Sequence, residues 1–110
     1  MIFEQQQHIA SLIIQYWSME FLIFVGSFAK GTEHANSDLD IVYYTTQEIP
    51  FSVQTKMIED VKLYVQRDVD LINFLNVDAE FAIHVLHDGL PIYIKNAQQF
   101  KQLQTQVNLR

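Results

Sequence analysis

Residues 26–40 read GSFAKGTEHANSDLD and are the most informative part of the sequence. This stretch begins with Gly26 and Ser27, directly after the apolar run FLIFV, and it ends with Asp38 and Asp40, which open a β-branched and aromatic run. A continuous apolar run of this length predicts a strand buried on both faces, and the second run predicts another strand. The stretch is therefore a connection between two strands, with polar groups at both ends.

Gly26 and Ser27 form a candidate phosphate cradle. Glycine has no Cβ, so the backbone can turn sharply and bring amide N–H groups close to an anion, while the Ser27 hydroxyl adds a donor. An isolated Gly-Ser pair is usually an ordinary turn, but this pair follows a buried strand. A P-loop is not predicted, because that motif has Lys directly after its second glycine and Thr32 follows Gly31 here.

Asp38 and Asp40 are candidate metal ligands. Side chains two residues apart in a strand point to the same face, so the two carboxylates are expected side by side. Like charges at that distance destabilise each other, and a hard dication with oxygen ligands relieves the repulsion. Magnesium is the natural candidate. On spacing alone, the pair could also be solvated acids at the entrance of a strand.

A third carboxylate is expected if two metals are to clamp an in-line displacement. Asp70 stands in the strand-like segment VDLINF and is an acid in an otherwise apolar run. Asp68 lies two residues earlier, next to Arg67 at the predicted exit of a helix, and is expected to face solvent. Asp70 is therefore the predicted third acid.

The remaining pattern predicts alternating helices and strands. Ser52 and Asp78 are predicted helix N-caps, and Gly89 is predicted to end a helix in a left-handed conformation. The order supports an α/β (α+β) class, with helices flanking a small mixed sheet in a single domain over residues 1–110. The predicted helices span residues 3–17, 52–67, 78–89 and 96–110, and the predicted strands span residues 21–25, 38–44, 69–74 and 90–94.

Composition narrows the classes of function. The net charge is −6 and the seven basic residues are scattered, which argues against a groove that binds nucleic acid directly. With no cysteine and no apolar run of membrane-spanning length, we expect a soluble cytoplasmic protein without thiolate metal sites. His84 and His87 are one helical turn apart, but packing or a solvated face is favoured over a metal site.

The sequence resembles the minimal nucleotidyltransferases of the polymerase-beta-like superfamily. The resemblance rests on Gly26-Ser27, ten intervening residues, and then Asp38 and Asp40. The later segments VDLINF and HVLHDGLPIY also look like this group, so most of the chain is covered. The resemblance implies the polymerase-beta-like nucleotidyltransferase fold.

The same resemblance implies roles for individual residues. Asp38 and Asp40 would ligate two magnesium ions, and Asp70 would complete the metal site and help to deprotonate the acceptor hydroxyl. Lys30 matches a position where the family often has a basic residue. The residues implied in nucleotide binding are Gly26, Ser27, Lys30 and Ser37.

The implied reaction transfers a nucleoside monophosphate, AMP from ATP, to a hydroxyl. Small stand-alone members of the family are commonly antitoxins that adenylylate a tyrosine of a HEPN-type toxin, so a protein partner and a hetero-oligomer are expected. One alternative is a non-catalytic module that neutralises its partner by complex formation. Another is a small-molecule nucleotidyltransferase with an acceptor pocket at a homodimer interface.

Overall fold

The computed structural model describes residues 1–108. This part of the chain contains five α-helices and four strands. A short 3₁₀ turn, Phe74–Asn76, follows the third strand. The helices are α1 (Phe3–Ile14), α2 (Ser27–Lys30), α3 (Phe51–Val65), α4 (Ala79–Asp88) and α5 (Ala97–Asn108). The strands are β1 (Phe21–Val25), β2 (Leu39–Tyr44), β3 (Val69–Asn73) and β4 (Leu90–Ile94).

The strands form one sheet in the order β3-β2-β1-β4. β1 runs antiparallel to both β2 and β4, whereas β2 and β3 are parallel. Pro91 is accommodated because β4 is an edge strand, where a missing N–H costs no central ladder bond. The small mixed sheet flanked by helices is confirmed.

The two faces of the sheet carry separate cores. Leu22 and Phe24 of β1 point toward α1 and α3, and both side chains are fully buried. Phe21 and Ile23 point to the opposite face, toward α4 and α5. Burying one such side chain contributes roughly 1.5–3 kcal/mol, so covering both faces of β1 anchors the strand that leads into Gly26.

The first helix is shorter than the pattern predicts, because it ends at Ile14 instead of continuing to residue 17. The amide N–H of Tyr16 donates to Ile13 O at 3.1 Å, which tightens the last turn. The Tyr16 hydroxyl then reaches Asp60 Oδ2 on α3 at 2.5 Å. A tertiary contact with α3 therefore accompanies the end of α1.

The segment expected to be a loop after Gly26 contains the short helix α2. Phe28 explains it, because this side chain is buried and lies edge-on to Phe24, with 6.2 Å between the ring centroids. Gly31, at φ 70° and ψ 22°, ends the helix in the left-handed region. Burial of one aromatic residue thus makes a helical turn out of a polar connection.

Two helix boundaries differ from the predictions. Ser52 is not an N-cap, because the Pro50 carbonyl accepts from the amides of Val53 and Gln54 and α3 begins at Phe51. Gly89 is extended, at φ −71° and ψ 161°, and not left-handed. Asp78 is confirmed as an N-cap, since its side chain accepts from Phe81 N at 2.8 Å.

Gly89 is required by close packing instead of by its backbone angle. A Cβ there would lie 2.3 Å from Ile23 Cγ2 and 2.5 Å from the Val85 carbonyl oxygen. Besides Gly31 after α2, a left-handed helix end occurs at Gln66, after α3, at φ 56°. Tyr64 of α3 is 42% exposed, and its ring packs at a tilt against that of His8, with 4.3 Å between the ring centroids.

The last helix is confirmed over the described residues, with Phe100 and Val107 buried against the sheet. The part of that prediction covering residues 109–110 lies outside the described residues. Among residues 1–108, no helix combines the length and the apolar character needed to cross a membrane.

Candidate active site

The strand register brings the predicted acids to one edge of the sheet. Asp40 of β2 is the direct partner of Val25 at the end of β1 and of Asp70 near the start of β3. Neighbouring strands lie about 4.8 Å apart, so Asp40 and Asp70 occupy adjacent positions on the same face. Asp38 directly precedes β2 at the same edge. The three acids therefore meet although one of them lies thirty residues away in the sequence.

Negative charge at this edge is concentrated and unpaired. The pKa of Asp40 is raised, first by burial and then by the charges of Asp70 and Asp38, with a hydrogen bond to Asp70 contributing least. No salt bridge reaches any of the three carboxylates within residues 1–108. Such a cluster favours either protonation or a bound cation.

Gly26 links the candidate phosphate cradle to these acids. Its backbone has φ 71° and ψ −145°, a conformation that residues with a side chain rarely adopt. A Cβ at Gly26 would also lie only 3.3 Å from Asp40 Oδ2. Glycine is thus needed twice, for the turn and for the space beside the carboxylate.

Ser27 opens the first turn of α2, directly at this edge. The Gly26 carbonyl accepts from the amides of Ala29 and Lys30, at 3.1 and 3.3 Å, and closes that turn. The first amides of a helix have no partner within the helix, so they can donate to an anion. The Gly-Ser pair and the carboxylates therefore border the same space.

The other two predicted nucleotide-binding residues are placed differently. Lys30 is exposed at the end of α2. Ser37 is only 9% exposed, and its hydroxyl accepts from the amide of His34 at 2.9 Å. Ser37 therefore shapes the loop before Asp38, and contact of either residue with a nucleotide stays a prediction.

The donor set fits magnesium, which prefers carboxylate oxygen ligands. Within residues 1–108, no three acidic, histidine or cysteine side chains are already closed around one point. Asp38 and Asp70 are exposed, however, so their carboxylates can rotate toward Asp40. A bound dication would attract both carboxylates and relieve their repulsion, which favours those rotations.

A cleft of about 730 Å³ opens beside Asp38. It lies between the loop before β2, which contributes Asn36, and the end of α3, which contributes Lys62. Arg67, in the connection after α3, also lines it. Its size falls within the usual range for small-molecule sites, roughly 300–1,000 Å³. A ligand in this cleft would contact an acid of the candidate site directly.

The histidine pair lies on a solvated face, as favoured from the sequence. His84 Nδ1 lies 2.9 Å from Asp88 Oδ2, and both side chains are more than 40% exposed. Asp88 lies one helical turn after His84, which explains the contact. The contact is an exposed i,i+4 pair, which contributes only a few tenths of a kcal/mol.

Arg67 is the residue that sequence reasoning missed. The sequence indicates Arg67 only as the neighbour of Asp68. In the structure its guanidinium donates hydrogen bonds to the loop that leads into Asp38. The available signal was a cation three residues before Asp70, at the junction of a helix and a strand.

The sequence from residue 7 to residue 98 matches the family of polymerase beta nucleotidyltransferases. The chain belongs to this family. The fold and the Gly-Ser and acidic elements described above agree with that membership. No curated protein matches the sequence closely enough to add a more specific relative.

Solved structures share the fold at low sequence identity. A chain of a toxin–antitoxin complex with AMP-PNP is 18% identical, with a TM-score of 0.81 over 94% of this chain and 84% of that one. A complex of a tri-AMPylated Shewanella oneidensis HEPN toxin with its MNT antitoxin gives 13% identity and a TM-score of 0.74, over 96% and 82%. The MntA–HepT toxin–antitoxin pair gives 14% and 0.73, over 96% and 83%.

Proposed function

We propose that this chain transfers AMP from ATP to a tyrosine hydroxyl of a HEPN-type toxin and thereby acts as its antitoxin. Membership of the nucleotidyltransferase family supports the class of reaction. The choice of ATP and of a toxin acceptor is supported by the similar folds, which include a toxin–antitoxin complex with AMP-PNP and a tri-AMPylated toxin bound to an antitoxin. The proposal places the reaction in the cytoplasm.

One observation carries this proposal, namely the meeting of three unpaired carboxylates with a glycine that leaves room beside them. Asp40 and Asp70 are partners in the strand register, and a Cβ at Gly26 would lie 3.3 Å from Asp40. A structural role alone would favour a neutralising cation from the protein. An unpaired acidic cluster beside a glycine turn fits metal-assisted phosphoryl chemistry.

Each group has a defined task in this mechanism. Asp38, Asp40 and Asp70 would hold two magnesium ions, which supply charge stabilisation on the phosphate oxygens when bound. The backbone at Gly26 and the hydroxyl of Ser27 bind and orient the triphosphate. Asp70 stands at the edge strand β3, on the far side of β2 from this cradle. It accepts the proton of the incoming hydroxyl.

The transfer is balanced as an in-line displacement. The acceptor oxygen forms a bond to the α-phosphorus while the bond from that phosphorus to the bridging oxygen of the β-phosphate breaks. Pyrophosphate leaves with the electron pair of the broken bond, and the hydroxyl proton passes to a carboxylate oxygen of Asp70. No oxidant or further reactant is needed.

The test is incubation of the purified chain with ATP labelled at the α-phosphate, magnesium and a HEPN-type protein from the same host. We expect label on that protein and a mass increase of one or more AMP groups, localised to tyrosine. Asp40→Asn should give none. Label in small molecules instead would support the small-molecule transferase. If the chain protects the growth of cells that co-express the partner, while no label reaches the partner in vitro, the non-catalytic binding module is supported.

A further inference from the structure

Arg67 occupies the connection between α3 and β3, three residues before Asp70. Its Nη1 donates to two backbone carbonyls of the loop before β2, to His34 O at 3.1 Å and to Ser37 O at 2.9 Å. Ser37 is the residue directly before Asp38. One guanidinium nitrogen therefore holds the loop that delivers an acid of the active site.

The same guanidinium also contacts α2. Its central carbon lies 4.8 Å from the ring centroid of Phe28, an arrangement in which the planar cation interacts with the aromatic face. Phe28 directly follows Ser27 and is 6% exposed. Movement of Arg67 would therefore disturb the helical turn that begins at the phosphate cradle.

A backbone hydrogen bond next to Arg67 connects β2 to the strand that carries Asp70. The carbonyl oxygen of Asp68 accepts from the amide of Leu39 at 2.9 Å, where β2 and β3 begin to pair. Arg67 directly precedes Asp68, so its backbone belongs to the segment that sets this register. The three segments bearing Ser27, Asp38 and Asp70 thus converge on one residue.

We propose that Arg67 is a positioning residue for nucleotidyl transfer, which fixes the backbone that carries Asp38 relative to the phosphate cradle. This inference rests on the proposed function. Nη1 carries two N–H donors, one for each carbonyl, while the planar guanidinium lies over an aromatic ring. The ammonium of lysine has no plane that could lie on the ring while it bonds both carbonyls. Misplacing a catalytic group by about 1 Å can lower a rate by roughly 100-fold.

The test compares Arg67→Lys and Arg67→Ala with Lys95→Ala. Lys95 follows β4 at the opposite end of the sheet from Asp40 and pairs with Glu20 at 3.9 Å, so its loss removes a cation without freeing the loop. We expect kcat to fall at least about tenfold in Arg67→Lys, with a higher magnesium concentration at half-maximal rate. Lys95→Ala should keep kcat within about twofold, since exposed ion pairs contribute little.

A second readout does not depend on activity. Amide hydrogen exchange of the segment 34–39 should be at least about tenfold faster in Arg67→Lys than in the wild type and Lys95→Ala, because the carbonyl anchors are lost. Lysine keeps the charge and the apolar stem, so this variant remains informative if Arg67→Ala does not fold. Exchange and kcat of Arg67→Lys within about twofold of the wild type would overturn the inference. An inactive wild type would instead overturn the proposed function, while the exchange comparison would still test the anchoring of the loop.

Discussion

Asp40 is the most informative single residue, because its carboxyl is half-buried between two other acids. Asp40→Asn removes a metal ligand and should reduce transfer to background. It also removes like-charge repulsion, so the metal-free variant should melt about 2–5 °C higher than the wild type. Thermal unfolding with EDTA and label incorporation with magnesium are the two measurements. Asp88→Asn, remote on α4, is the control that should keep wild-type activity.

The raised pKa of Asp40 predicts a pH dependence of the metal-free fold. A group whose pKa is higher in the folded state stabilises that state below its unfolded pKa, near 3.8, and this stabilisation is lost as the pH rises through the folded pKa. The Tm advantage of Asp40→Asn should therefore grow as the pH is raised from about 4 to 7. A Tm difference that is constant across this range would contradict the raised pKa.

Gly26 offers a test of the phosphate cradle with a matched control. Gly26→Ala places a Cβ beside Asp40 and strains a backbone at φ 71°, whereas Gly31→Ala at φ 70° meets no atom within 4 Å. Both variants should lose roughly 1–2 kcal/mol of stability. Only Gly26→Ala should weaken ATP binding by tenfold or more, and Lys30→Ala should change it by less than about threefold. If calorimetric titration showed that Lys30→Ala weakens ATP binding more than Gly26→Ala does, the placement of the phosphate cradle at Gly26 would be wrong.

Among the elements, the parallel pairing of β2 with β3 places Asp70 beside Asp40, where the proposed mechanism requires it. Asp70→Asn should lower kcat by about 100-fold or more while ATP affinity changes little, since the lost group acts on the attacking hydroxyl. Complex formation with a HEPN-type partner should persist. Kinetics, ATP titration and co-expression growth assays measure these effects.

The control for Asp70 lies two residues earlier. Asp68→Asn removes an exposed acid that pairs with Lys62, and it should leave kcat within about twofold. If Asp70→Asn protects cells as well as the wild type while the partner stays unmodified, neutralisation does not require catalysis.

For the whole molecule, ligand binding should be visible as stability. Magnesium and ATP together at about 100 times their dissociation constant should stabilise the wild type by about 2.7 kcal/mol, which raises the Tm by roughly 10 °C. Asp40→Asn should show a much smaller rise. An equal rise in both proteins would mean that the nucleotide binds away from the acids.

Local patterns identified most of the elements and five members of the site from sequence. Apolar runs and helical spacing located every strand and the long helices, because burial of a face repeats with the period of the element. Two-residue spacing predicted Asp38 and Asp40 on one face, and the position of Gly26 and Ser27 after a buried strand predicted the phosphate cradle. Asp70 was predicted as the third acid from its position in an apolar strand and from the chemistry of a two-metal site, not from local spacing.

Contacts between segments that are distant in the sequence could be read only from the tertiary structure. The adjacency of Asp40 and Asp70 depends on the register of two strands joined through α3, which no local spacing encodes. The turn of α2 depends on burial of Phe28, and Gly89 is needed because Ile23 of another strand lies against it. The hydrogen bonds of Arg67 likewise span about thirty residues of sequence. The amino-acid sequence thus determined the chemical groups and their local order, whereas packing across the sheet determined which of them meet.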